Sequence, residues 1–491
     1  MFTLLFFTSL VTLIIYITVN HKRKWKALDN IPSPPTYPII GHLPVFIGSM
    51  EEVTHKLRII LNFHDRMVKV WSGPFNLVFI NNPKDAEIIL KNSKDIDKSP
   101  DYKYWKSLVG ESLFTSVTDS RYKRNKKLIL ASLTLNNVKE FFDSFNKHTD
   151  NLISTLNKKT GREFNIGDDL SMCSMNILLE TVLGYSKEDL RKDAKAIMDS
   201  VDRFAKYGAE KVLKYWLRPY FVTWLLGYQK KINKDCAFME NITSQIINER
   251  SKNRKQNEDK FTVFIDTLLD ARDENGPCFS LKEIKDEIIT IIFAGQDTVT
   301  TALGFSLCLL GRHKNVQDKL YEETVTKLDK DDCYITYDSL KDLEYLGRVV
   351  QETLRLYPSA PVVGKVALND IDLDGQIIPK DTKMAISLYH LQRNRNNYTN
   401  PNVFDPDNFL PEKINSRHPY SYIPFSSGNR ACIGQTYSVL LLKVILAKII
   451  LNFKIHSKKP EEDYKFAFEP TVKRKDGFLV TLEPRNNKTC S

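Results

Sequence analysis

With 491 residues, 42% of them hydrophobic, the chain can bury a substantial core in one large domain or in two to three smaller ones. Its net charge of +11 suits nucleic acid, a membrane surface or an acidic protein partner; the sequence has no helix-turn-helix or zinc-finger spacing, so nucleic acid is not expected as a partner. Seven cysteines at irregular spacing, an odd number without a Cys-x-x-Cys pair, exclude a disulfide framework and point to a reducing compartment.

Residues 2–19 are uncharged and mostly apolar, close to the about 20 needed to span hydrocarbon. His21-Lys22-Arg23-Lys24-Trp25-Lys26 follows at once. Positive charge after the segment and none before it puts the C-terminal side in the cytoplasm. A cleaved signal peptide would carry its charge ahead of the apolar run and a small-residue site behind it. The expectation is a transmembrane signal-anchor over 1–20, then a basic, proline-rich hinge over 21–44. Its segment Ile31-Pro32-Ser33-Pro34-Pro35-Thr36-Tyr37-Pro38 is stiff and extended, because proline fixes φ and discourages helix.

Residues 67–71 and 77–80 are short β-type runs around Ser72-Gly73-Pro74, a predicted hairpin. Most of 83–356 has helical periodicity, with 251–260 as the clearest solvated loop. The aromatic stretch 215–226 is assigned to the core, with a second membrane contact as the alternative. A predicted helix over 283–310 carries Ala294-Gly295-Gln296-Asp297-Thr298 in its middle. A glycine there costs up to about 1 kcal/mol against alanine, which suggests a packing or functional need. Thr298 stands four residues after Ala294, so its hydroxyl can take that carbonyl and bend the helix. Asp297 and Thr298 then offer a carboxylate and a hydroxyl for moving protons.

Glu352 and Arg355 share a helix face at i, i+3. Glu188 and Arg191 have the same spacing, and most such pairs are surface decoration. Glu352 differs by its sequel, Thr353-Leu354-Arg355-Leu356-Tyr357-Pro358, an apolar helix ended by proline. Asp374-Gly375 is a two-residue hairpin turn. Last comes Phe425-Ser426-Ser427-Gly428-Asn429-Arg430-Ala431-Cys432-Ile433-Gly434, ahead of a predicted buried helix over 436–453. A thiolate at a helix N-terminus gains from the dipole and nearby N–H donors, so its pKa should fall and it can ligate a metal. Gly428 and Gly434 would let backbone approach a flat ligand, Arg430 supplies a cation for an anionic edge, and Phe425 a ring beside the sulfur.

This last run resembles the haem-binding signature of the cytochrome P-450 family, Phe-x-x-Gly-x-Arg-x-Cys-x-Gly, at every motif position. The resemblance extends from anchor to C-terminus. Residues 352–361 and 417–425 look like family four, particularly its arthropod members. It implies the mainly α P-450 fold, a large helical part with a small β part, with 45–491 as the haem-thiolate monooxygenase domain. Cys432 would be the axial ligand of a haem b iron. Tyr122, Lys126, Lys365 and Arg430 would hold the propionates, and Glu352 with Arg355 would form the structural pair that retains haem. Asp297 and Thr298 would guide protons to bound dioxygen, so that one oxygen atom enters a C–H bond of a lipophilic substrate. Residues 102–114, the helix around Ala294 and 359–363 would line the pocket. Neither a glycine-rich phosphate loop nor a βαβ alternation is visible, so electrons would come from the NADPH–cytochrome reductase of the endoplasmic reticulum, with cytochrome b5 optional.

Several positions depart from the family. Its Trp-x-x-x-Arg is matched only as Tyr122 and Lys126, and Lys365 replaces a common arginine, keeping charge but losing the bidentate fork. Pro406-Asp407-Asn408-Phe409 is expected to weaken the network around Arg355. Many family-four members carry, at the position of Ala294, a glutamate esterified to haem; alanine cannot form that bond, so the haem should be non-covalent. A haem-thiolate isomerase or dehydratase, or a non-catalytic haem-binding protein, are the alternatives. Asp297 and Thr298 argue against the isomerase, which has no protons to deliver to oxygen. The anchor and the long apolar helix count against the binding protein.

Overall fold

The computed structural model describes residues 25–73, 75–185, 188–255, 263–273, 276–328 and 334–485. The expected anchor, the first basic residues of the hinge and Pro74 lie outside them. The chain divides into two compact units. One takes the chain up to Asp101 with Val362–Pro401 and Arg417–Arg430; the other takes Tyr102–Pro361, Asn402–Ser416 and the rest from Ala431.

The first unit is built on a five-stranded sheet. Its order is Met67–Ser72, Phe75–Ile80, Lys383–Ser387, Val362–Ala367, Ile96–Lys98. The predicted hairpin is its edge, turning at Gly73 with φ 55. Phe75–Ile80 then pairs parallel with Lys383–Ser387, and the remaining pairings are antiparallel. Val78, Ile80, Met384 and Ile386 share a core with Ala86, Ile89 and Leu90 of the helix Pro83–Lys91. Asn82 caps that helix by accepting from the Lys84 N–H, and Pro83 fits the first turn, where no N–H is needed. The second predicted hairpin, Ile371–Leu373 with Gln376–Ile378, turns through Asp374 and Gly375 at φ 47 and 85, and the Asp372 carboxylate accepts the Gly375 N–H at 2.7 Å. The proline-rich hinge is non-helical through 32–36, as expected.

The second unit is helical. Its axis is Leu281–Arg312, opened by a capping box between Ser280 and Glu283. This long helix packs on Gly167–Thr181, where a Cβ on Gly295 would lie 3.0 Å from Leu178. Close helix packing thus explains the mid-helix glycine. Further on, Phe305 stacks on Tyr357 at 4.1 Å. Leu281–Arg312 and the C-terminal helix Gln435–Asn452 are apolar enough to cross a membrane, yet most of each is buried inside the protein.

Two expectations change. The predicted loop at 251–260 begins as helix, since Tyr228–Lys255 runs five residues into it. The aromatic stretch is core only at Leu217 and Thr223: Phe221, Trp224 and Leu225 on the short helix Tyr220–Leu225 are 68%, 65% and 73% exposed. Six residues cannot bury rings on every side, and these face outward.

A charge cluster braces the helix that supports the long one. Burial alone would raise the Glu180 carboxyl, but hydrogen bonds from His148 and Ser144, with Lys147 nearby, bring it down to about 2. A depressed acid pKa stabilises the fold above the ordinary value of 4.5, and that stability is lost as pH falls from there through 2. Melting temperatures between pH 5 and 2 should therefore fall more steeply in the native protein than in Glu180→Gln, which starts lower. Parallel acid limbs would refute this.

Candidate active site

The turn before Cys432 depends on backbone conformations that few residues adopt. Ser426 and Gly428 have φ 59 and 72. A Cβ on Gly428 would overlap the Leu90 carbonyl oxygen. Glycine is thus required at 428 by the chain's own packing, a second reason beside the expected approach of a flat ligand. Phe425 and Arg430 belong to the first unit, whereas Ala431 and Cys432 open the second. Gly434 caps the helix Gln435–Asn452, and its own N–H donates to the cysteine sulfur. A Cβ on Gly434 would lie 4.0 Å from the Cys432 Sγ, so a side chain there could be added without overlap.

Cys432 has exposed surface, yet burial is the first cause of its raised pKa. The two agree if the sulfur is accessible but deeply set. The Gly434 N–H and the Lys126 charge pull the other way without winning. The helix terminus therefore does not by itself make a thiolate, contrary to the expectation from sequence, because desolvation outweighs it. A bound metal cation would reverse that balance, since a coordinating thiol is deprotonated outright.

Lys365 meets a partner that sequence reasoning missed. In the register of the first unit's sheet it stands directly opposite Lys98, on the same face. Like charges so placed repel. Arg430 adds a third cation, with Asp97 as the carboxylate at 3.7 Å from its guanidinium. Burial and the Arg430 charge push Lys365 down to about 8, and burial with Arg430 and Lys365 pushes Lys98 well down from its ordinary value. Three cations gathered at one cost-bearing position suit a ligand with anionic edge groups. In the second unit, Tyr122 and Lys126 lie one turn apart on Ser120–Ser132, a helix capped by Asp119 accepting from the Tyr122 N–H at 2.7 Å. Tyr122 is buried and Lys126 partly exposed.

The long helix is buried over most of its middle, except along one stripe. Ile291, Ala294, Gly295 and Thr298 are accessible, a spacing that puts them on one face. The Thr298 hydroxyl donates to the Ala294 carbonyl at 2.8 Å, as its position predicts. Ser359 holds the Thr298 carbonyl at 2.8 Å. The neighbouring Asp297 leaves in another direction: Thr471 and Lys473 donate to its carboxylate, and Lys473 reaches Asp202 at 2.7 Å. Asp297 and Thr298 are thus adjacent in sequence without sharing a partner.

Glu352 and Arg355 are fully buried and paired through two hydrogen bonds of 2.6 and 2.7 Å. Arg355 also donates to the Val403 carbonyl at 3.1 Å, and Glu352 accepts from the Asp405 N–H at 2.9 Å. The Asn408 amide donates to the same carboxylate at 3.1 Å. The expected weakening at 406–409 is therefore absent: Asn408 completes the carboxylate's partners, and Asp407 pairs with Arg348 at 2.6 Å.

The signature turn, the accessible stripe and the buried Glu-x-x-Arg pair occur together in a mainly helical chain. A family model for cytochrome P450 matches residues 31–482, and the chain belongs to that family of haem-thiolate monooxygenases. Similar proteins are members of its family four. Cytochrome P450 4V2 of Homo sapiens is 31% identical, with 97% of this chain and 94% of that protein covered. Cytochrome P450 4c21 of Blattella germanica is 30% identical over 97% of each, and Cytochrome P450 4g15 of Drosophila melanogaster 29% over 99% and 97%.

Proposed function

We propose that this monooxygenase is anchored in the endoplasmic reticulum membrane by residues 1–20, faces the cytoplasm, and oxidises a lipophilic substrate with electrons from the NADPH-dependent reductase. The observation that carries it is that one unit contains both the Cys432 turn opening a buried helix and a long buried helix with one accessible stripe. Haem, when bound through the Cys432 thiolate, supplies the dioxygen-activating chemistry. Within the first unit, Lys98, Lys365 and Arg430 would offer its propionates a set of cations; within the second, Lys126 would offer a cation and Tyr122 a hydroxyl donor.

The protein's own part is orientation and proton handling. Thr298 commits its hydrogen to the Ala294 carbonyl, leaving oxygen lone pairs turned to the accessible face. It can therefore accept a hydrogen bond from a ligand or water there. Asp297, the second group assigned to proton handling, is held by Lys473, which also reaches Asp202, so its carboxylate stays charged on the side of the helix away from Thr298. Ile291 and Ala294 keep the face apolar, which suits a hydrocarbon chain. Tyr220, Phe221, Trp224, Leu225 and Leu226, all exposed, support a second membrane contact that would admit substrate from lipid.

Co-expression with the reductase and mass spectrometry of a saturated long-chain fatty acid test this reading. NADPH-dependent hydroxylation is expected, and acid should extract all the haem intact, because Ala294 has no carboxylate to esterify. Haem left on the chain after acid would contradict the second expectation. An intact haem-thiolate preparation without product would exclude the fatty acid as substrate.

A further inference from the structure

Residues 110–115 run against the first half of the long helix at very short range. Gly110 has φ 56, and a Cβ there would overlap the Asp286 carboxylate. The Glu111 N–H donates to Asp286 at 3.2 Å. Two residues on, the Leu113 N–H donates to both oxygens of Glu287, at 3.0 and 3.3 Å. Asp286 and Glu287 are consecutive and both buried. Two buried carboxyls side by side are costly unless one is neutral. Burial raises Glu287 to about 8, with the Asp286 charge adding to it and the Leu113 N–H opposing. A neutral carboxyl still accepts through its carbonyl oxygen.

The loop's next residue is a wall. Phe114 packs on Phe293 at 5.2 Å, on Tyr102 at 5.3 Å and on Trp105 at 5.9 Å. Phe293 immediately precedes Ala294. Glu287 lies seven residues before Ala294, about two turns or ~10 Å up the same side of the helix. The loop is held by backbone N–H groups as well as by ring packing, so removing a carboxyl acceptor loosens it with its side chains unchanged.

We propose that Asp286 and Glu287 are positioning residues for substrate selection: they latch the 110–115 loop to the long helix and so fix Phe114 against Phe293 as one wall of the substrate site. The selection rests on the function proposed above; the latch does not. Hydrogen–deuterium exchange on the full chain tests the latch. Glu287→Ala should speed amide exchange across 110–116 by about tenfold, the worth of one hydrogen bond, while the Glu344–Leu356 helix keeps its protection. Glu287→Gln should keep the loop protected, because its amide oxygen accepts as the neutral carboxyl does. Gly110→Ala, which keeps both acidic residues but overlaps the Asp286 carboxylate and strains a positive φ, should free the loop.

In the haem-loaded enzyme, the dissociation constants of imidazole and 4-phenylimidazole, read from haem absorption, test the selection. Their ratio should move severalfold in Glu287→Ala and Gly110→Ala and stay put in Glu287→Gln. Unchanged exchange in Glu287→Ala overturns the latch. A freed loop with an unchanged ratio overturns the role in selection. A chain that takes up no haem would sink the function proposed above, and the exchange result would still decide the latch.

Discussion

Glu352→Ala is expected to give a protein that retains no haem and melts far below the native one. The carboxylate collects two N–H bonds from Arg355, one from the Asp405 backbone and one from Asn408. Arg355 has no exposed surface. Truncating the acid strips a buried guanidinium of its counter-charge, a loss of about 3–5 kcal/mol when one member of a buried pair is removed. That is a large share of the about 5–15 kcal/mol by which a domain is stable. The damage reaches the site because Glu352 and Arg355 tie their helix to 403–408. Haem content per chain and thermal denaturation are the measurements. A variant with native haem content would remove the structural role given to Glu352.

Cys432→Ser should leave the fold standing and abolish oxygenation. The side chain has exposed surface and serine is close to cysteine in size, so exchanging sulfur for oxygen disturbs little packing. What is lost is the soft, electron-donating ligand, which a hydroxyl does not replace. NADPH-dependent product formation should fall to background while melting of the haem-free chain changes little. Native turnover in Cys432→Ser would mean that another group ligates iron.

Much of the site was legible because its signals are local. The Cys432 string, the Thr298-to-Ala294 spacing and the turn at Asp374-Gly375 each concern residues within ten positions, where helix and hairpin geometry decide the outcome. The signals that failed depend on contacts distant in sequence. Lys98 faces Lys365 only through sheet register, and a separation of 267 positions hides it. Asp297 finds Lys473 on a strand 176 residues away. Asn408 looked like a loss of charge, but a buried carboxylate with two guanidinium bonds needs a neutral donor as much as a cation. The Cys432 thiol was assigned by the helix terminus alone, and desolvation, which composition does not reveal, reversed its direction. The aromatic stretch was given to the core on composition; its helix is too short to hide its rings.

The reduced carbon monoxide difference spectrum of the full-length chain, expressed with haem supply, tests the central claim most directly. A thiolate-ligated haem gives a Soret band shifted far to the red, and that band, lost in Cys432→Ser, is the predicted result. A band at the position typical of nitrogen-ligated haem, or no haem bound at all, would contradict Cys432 as the axial ligand and the monooxygenase reading built on it.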